Sequence, residues 1–337
     1  RGLGDVYKRQ NLTLVLATVV TGYLANVDWH LPFLVYTLPG ISLALSFLLK
    51  RQRSVPEPEQ SIQLRHKMID RRKLAGLMAF YFFVTYAVLV VTFYASFLID
   101  DYKIDSSFSG VLISLFFLAI MLPGLFIANI IRSLKRNVNL VALVLVCVGL
   151  LCVGVFHGKA MLAFGALCTG LGYGIMQPVI YDKAATIAPP RSATLALSFV
   201  MSVNYLAVMV CPFIVDLFRH VFGTHSDRFP FFFNAVLVLA VLGLLLWLVY
   251  MGTPFVGKGA GKKEVTDWSF LKSTRFWLLT GLLFCQNAAE QSVTGWMVTY
   301  FKGSGIIAGA LAAYTVTVMW GATLVARLLI AFVFPFK

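Results

Sequence analysis

The sequence predicts an all-α, polytopic membrane protein of about ten transmembrane helices. Three observations carry that expectation. Hydrophobic residues make up 59% of the chain and charged residues only 12%, about half the charged share of a soluble domain, so water cannot be its only solvent. The apolar residues gather repeatedly into runs of roughly 20, the length a helix needs to cross a bilayer core. None of these runs keeps the apolar-out, polar-in alternation of a lipid-facing barrel strand. Backbone in lipid must satisfy its own hydrogen bonds, which leaves helices.

The spans are expected at 11–26, 31–49, 74–99, 108–131, 138–156, 161–181, 193–217, 230–251, 276–301 and 306–327. Basic residues orient them. With the start of the chain in the cytoplasm, only Lys103, Lys159, Arg219, Arg228 and Lys302 fall outside, whereas residues 50–73 alone place eight Lys/Arg inside. The later inside loops agree: Arg132, Lys135 and Arg136, then Lys183 and Arg191, then 258–275. The expected location is therefore an inner (plasma) membrane, with both ends of the sequence cytoplasmic. The net charge of +14 is then a record of topology. A nucleic-acid surface would need a soluble domain to carry it, so no nucleic-acid partner is expected.

The five cysteines, at 147, 152, 168, 211 and 285, lie in apolar spans without CxxC or Cys/His spacing. They suit small packing residues and indicate neither disulfides nor a metal site. The five histidines lie in loops or at span ends, which argues against a histidine-based intramembrane site. The stretch GTPFVGKG at 252–259 nearly spells a phosphate-binding loop, but Gly259 replaces the hydroxyl residue that holds Mg²⁺, and no βα unit surrounds it. No cofactor is expected. Asn11-Leu12-Thr13 spells a glycosylation sequon on what should be the cytoplasmic side.

Residues 1–10, RGLGDVYKRQ, have no initiator Met and no signal-peptide apolar core. They look like translated adapter sequence and are set apart as non-native. At the other end AFVFPFK stops just after a span, so both ends look cut.

Several spans carry polar stripes. The span 161–181 has glycines at 165, 170, 172 and 174, which remove side chains and allow close helix contact or bending, and Pro178, which frees a carbonyl. Thr169, Tyr173, Gln177 and Tyr181 recur every four residues along it. Tyr81, Thr85, Thr92 and Ser96 mark span 74–99, and Ser198, Ser202 and Tyr205 mark span 193–217. Aromatic and hydroxyl side chains offer apolar area with an adaptable polar tip, which suits a broad-specificity cavity and suits interhelical packing equally. Adjacent Asp182 and Lys183 close span 161–181, as interface anchors or as gating residues. None of the first eight spans has a carboxylate near its centre. Glu290 is the one deep acid, roughly 21 Å along its span at ~1.5 Å per residue. Gln286, Asn287 and Thr294 share its helical face. A buried acid is a functional-site candidate by default.

Residues 11–49 resemble the major facilitator superfamily, in which the fifth helix ends in a Gly-rich stretch and the sixth opens after a Trp-basic-x-x-Phe element. Gly22, Trp29, His30 and Phe33 stand at those places, with His30 where Arg is usual. Ala17 and Thr18 replace the Gly-Pro of many antiporters. The resemblance implies that 11–49 are the last two helices of an N-terminal half, 50–73 is the cytoplasmic inter-half loop, and 74–251 is a six-helix C-terminal half. The stretch GLFIANIIRSLKRN is similar to the superfamily's short basic loop, with Arg132, Lys135 and Arg136 at its basic positions and Ile131 and Leu134 where Asp and Gly are usual. A plain positive-inside loop explains the same charges. The superfamily's tenth helix lines its central cavity, which makes Tyr173, Gln177 and Tyr181 candidate substrate contacts, joined by Tyr81 and Thr85.

After 251 such a chain would end, yet this one runs through a second basic loop, 252–275, into two extra helices at 276–337. These resemble the seventh and eighth helices of a sugar- or fucose-permease-like member, with Glu290, Gly295, Trp296 and Arg327 at the motif positions. The expectation is a truncated chain and a chimera of two transporters. The implied function is ion-coupled, alternating-access export of small organic solutes, resembling drug efflux, with the bilayer, the solute and a proton or sodium ion as partners. Sugar or metabolite uptake and a non-functional chimeric fragment are the alternatives. A membrane enzyme would need a convergent catalytic set at one depth, which Glu290 lacks.

Overall fold

The computed structural model describes residues 70–105, 107–188, 193–250 and 311–332, with isolated positions at 31, 37, 40, 41, 44, 278, 281, 297, 300, 301 and 304–307. All secondary structure among them is helical. The helices are α1 Arg71–Asp101, α2 Ser107–Leu134, α3 Val138–Val155, α4 Lys159–Ile187, α5 Ala193–Val221, α6 Phe229–Tyr250 and α7 Ala312–Phe332, with a 3₁₀ turn Lys135–Asn137 between α2 and α3. The first six fall on six successive predicted spans. Several outrun them where polar residues extend the helix past the apolar run, as α4 does through Asp182 and Lys183. α7 begins at Ala312 rather than 306. The predicted spans 11–26, 31–49 and 276–301 lie outside the described residues apart from the isolated positions.

Five of the helices, α1, α3, α4, α5 and α6, are long and apolar enough to cross a membrane, while α2 and α7 contain the shorter apolar stretches Phe108–Gly124 and Tyr314–Ala326. The basic loop expected after the second of these spans is tighter than a loop. α2 runs through Arg132 to Leu134 and α3 follows after one 3₁₀ turn, with Lys135 in the left-handed region at φ 47°.

Asp70 starts α1. Its carboxylate accepts the Lys73 backbone N–H at 3.2 Å and pairs with the Lys73 ammonium at 3.0 Å. These contacts with Lys73, its side-chain hydrogen bond first, hold the Asp70 pKa below the ordinary carboxylate value. The cap is thus in place above the unfolded carboxylate pKa and is lost as pH falls through the lower folded value. Asp70→Ala should speed amide exchange over Arg71–Leu74 at neutral pH, and that difference from the parent should vanish in acid.

α4 is the hub. It packs chiefly on α2 and α3 and also meets α1 and α5, while α1 packs on α5 and α6. Its glycines make close approach possible on two sides. A Cβ at Gly170 or Gly174 would run into the carbonyl oxygens of Phe116 and Ile120 on α2, and one at Gly172 would lie 2.5 Å from the Ala142 carbonyl on α3. The glycines therefore bring helices together.

The turns at one end of the bundle are tied to each other. Arg228 donates to His157 Nε2 and lies over the Tyr102 ring at 4.9 Å, with the Tyr102 and His157 rings 4.4 Å apart. Arg219 pairs with Asp227 at 3.2 Å and covers Tyr94 at 5.3 Å. Lys103, Lys159, Arg219 and Arg228, all expected on one side of the membrane, thus share one end of the bundle.

α7 lies antiparallel on α5: Trp320 stacks on Tyr205 at 5.2 Å, Tyr314 meets Phe213 at 4.8 Å, and the Tyr314 hydroxyl donates to Asp216. Asp216 is half-buried, so its bond to Tyr314 replaces lost hydration. Tyr314→Phe should lower the thermal midpoint through about 1–3 kcal/mol of lost stability, read by thermal denaturation of the detergent-solubilised chain.

Candidate functional site

Five of the predicted site residues converge. Tyr81 and Thr85 are one turn apart on α1. Tyr173, Gln177 and Tyr181 follow at four-residue steps on α4, so each set shares a face. The Tyr81 hydroxyl lies 2.9 Å from that of Tyr181 and 3.3 Å from that of Tyr173. Thr85 Oγ1 is 3.3 Å from the Tyr173 hydroxyl, and Gln177 donates its amide to Tyr181 at 3.0 Å. The rings lock the arrangement, with Tyr81 stacked near-parallel on Tyr173 (6.5 Å, 8°) and edge-on to Tyr181 (5.7 Å, 75°). Tyr81 and Thr85 are fully buried and Tyr173 nearly so.

The cluster lies well inside the bundle, roughly 15 Å along α1 from Arg71 and roughly 21 Å along α4 from Lys159, at ~1.5 Å per residue. Every hydroxyl in it can both donate and accept, so the hydrogen-bond directions within the cluster can reverse. All its described members are uncharged. Beside it, Pro178 cannot donate to the Gly174 carbonyl, so α4 has a break in its hydrogen-bond ladder in the middle of the site.

One member was missed in the sequence. Asn204 of α5 accepts the Tyr173 hydroxyl at 3.3 Å and extends the cluster to a third helix. Its signal was present, since it is the one asparagine in span 193–217 and adjoins Tyr205, which the stripe did mark. Other stripe residues fall away from the cluster. Thr169 bonds the Gly165 carbonyl and lies against Gly149 of α3. Ser96 bonds Ser109 of α2 at 2.8 Å, and Ser202 bonds the Ser198 carbonyl.

The remaining expected residues lie elsewhere. Arg132 and Lys135 are exposed at the end of the bundle that carries Arg71–Lys73, as is Asp182, with half-buried Lys183 beside it. Arg136 falls in the same turn, and Arg327 on the last turns of α7. Glu290, Gln286 and Asn287 lie outside the described residues. Cys147, Cys152, Cys168 and Cys211 are free and buried. Among the described residues no group of His, Cys, Asp and Glu is placed to hold a metal ion.

The chain that carries this cluster matches a known family. Residues 74–335, well over half of the chain, match the family model of the Major Facilitator Superfamily. The chain belongs to that superfamily. It is accordingly an integral, multi-pass membrane protein of the transporter class. None of the curated proteins compared with this transporter matches it.

Proposed function

We propose that this transporter exports small organic solutes by alternating access, with Tyr81, Thr85, Tyr173, Gln177, Tyr181 and Asn204 forming part of the solute site. The observation that supports this most is the hydroxyl and amide cluster across α1, α4 and α5. It sits mid-helix, is rich in aromatic area, can reverse its hydrogen bonds, and adjoins the Gly174–Pro178 break at which α4 can bend. Aromatic surface with few polar tips favours amphipathic guests over sugars, whose many hydroxyls need more partners, and so favours export of the drug-efflux type.

A proton or sodium gradient would supply the energy, with Glu290, flanked by Gln286 and Asn287, as the acid that binds the ion. Arg132, Lys135, Arg136, Asp182 and Arg327 would act at the cytoplasmic ends as loop and gating residues. Residues 252–337 are taken as the opening of a second C-terminal half, joined to the end of the first at 251, in the plasma membrane of a bacterium with cytoplasmic flanks. The antiparallel seating of α7 on α5 accords with an inward-running helix there.

The test uses the flat, neutral dye Nile red in efflux-deficient bacteria expressing the whole chain. Energised cells should lose dye faster than vector controls, and collapse of the ion gradient should erase the difference. Equal loss in both would remove the export reading.

A further inference from the structure

We infer that Thr317 and Trp320 of α7 form a hydrogen-bonding subsite, beside the tyrosine cluster, for a flat uncharged solute carrying a carbonyl-type acceptor. The inference rests on the reading of that cluster as a solute site. Thr317 and Trp320 are three residues apart and share one face of α7. Their exposures are only 5% and 6%, and the Thr317 hydroxyl and the Trp320 indole N–H both lack a hydrogen-bond partner among the described residues.

Tyr86, Thr92, Asn139, Arg219 and Asn234 also hold a buried polar atom without a partner among the described residues, but none of these atoms sits one turn from another on the same helix. Ser114, Thr169, Ser202 and Thr323 each turn the hydroxyl back onto a carbonyl of their own helix, which is the easy way to satisfy it. Thr317 does not. An indole nitrogen has no such option, because it only donates and needs an acceptor from elsewhere. A buried donor without one is destabilising, so an unfilled pair marks a place shaped for something that brings the acceptor.

The surroundings define the guest. The Trp320 ring lies on Tyr205 at 5.2 Å and 27°. Tyr205 adjoins Asn204, which holds the Tyr173 hydroxyl. One short stretch of α5 therefore joins the tyrosine cluster to the α7 face, and a planar molecule spanning both would stack on rings and offer its acceptor to Trp320. The Thr317 hydroxyl can donate to the same acceptor or receive a donor beside it. No cationic or anionic group is among these side chains, so a charged guest would have no partner there.

The test compares two probes on the full-length chain in nanodiscs. 1-Naphthamide has the flat ring and the carbonyl, and 1-methylnaphthalene has the ring alone. The parent should bind the amide more tightly, and the Trp320 indole N–H resonance, identified by its loss in Trp320→Phe, should move downfield with the amide only. Trp320→Phe keeps a stacking ring and removes the donor. It should weaken the amide about tenfold, change the hydrocarbon far less, and lower the melting temperature only modestly, because the smaller ring leaves part of a buried position unfilled. Tyr81→Leu, which removes the stacking ring of the cluster, should weaken both probes.

An unchanged amide preference in Trp320→Phe would overturn the inference, as would failure of the parent to bind the amide or an unmoved indole resonance. Should Tyr81→Leu leave both probes unaffected while Trp320→Phe erases the preference, the cluster reading falls and the subsite stands.

Discussion

Tyr173→Phe is expected to abolish Nile red export while leaving the chain folded in the membrane. The Tyr173 hydroxyl is the junction of the cluster, within 3.3 Å of Tyr81, Thr85 and Asn204. Removing it keeps the stacked ring and its apolar area but leaves Asn204 Oδ1 without this donor. The stability cost should be about 1–3 kcal/mol, visible as a lower thermal midpoint. The loss in export should be much larger, tenfold or more, because a site that binds by exchanging hydrogen-bond partners loses several arrangements at once. Ser96→Ala supplies the control. Ser96 lies on α1, roughly 16 Å beyond Thr85 at ~1.5 Å per residue, and the change breaks a single hydrogen bond to Ser109 of α2, so it should cost similar stability without touching export. Parallel losses of export in the two variants would show that the cluster is only a helix interface.

Gly174→Leu should produce the largest loss of stability of any single change at the α2–α4 seam. A Cβ at Gly174 meets the Ile120 carbonyl oxygen and also the Ile120 Cα and C at 2.9 Å. All three are backbone atoms, which cannot turn aside as the tip of a side chain can. The two helices must separate, and the packing of Phe116 and Ile120 in the core goes with them. Overpacking of this kind costs about 3 kcal/mol, and Gly174→Ala about 1–2 kcal/mol. Gly76→Ala is the contrast. Nothing lies within 4 Å of a Cβ there, so relief of glycine's helix penalty should give a gain of up to about 1 kcal/mol. Unfolding titrations in mixed micelles would rank the three, and equal midpoints for Gly174→Leu and the parent would refute the close approach.

The stripes show how far sequence reasoning reaches. A four-residue step on a helix of 3.6 residues per turn advances about 40°, so Thr169 lies about 120° around α4 from Tyr181. Tyr173, Gln177 and Tyr181 stay within reach of Tyr81, while Thr169 has turned to Gly149 of α3. Periodicity found the stripe and had no means of finding where it rotates out of contact. The glycines were equally visible, but bending and close contact write the same residues. Only the nearness of the Phe116, Ile120 and Ala142 carbonyls decides for contact.

The chain's own residues determined that it lives in lipid, which of the described stretches become helices, and which side chains are polar within them, because each of these follows from local composition and from the need of backbone in hydrocarbon to bond to itself. Which helix faces which was left to the folded structure. That a tyrosine on α1 meets two on α4 and that an asparagine on α5 joins them depends on rotation and depth between segments far apart in sequence. So does the pairing of Trp320 on α7 with Tyr205. Hydropathy is nearly the same on all sides of such helices, so rotation is fixed by small residues and hydrogen-bond partners that only meet once the bundle has formed.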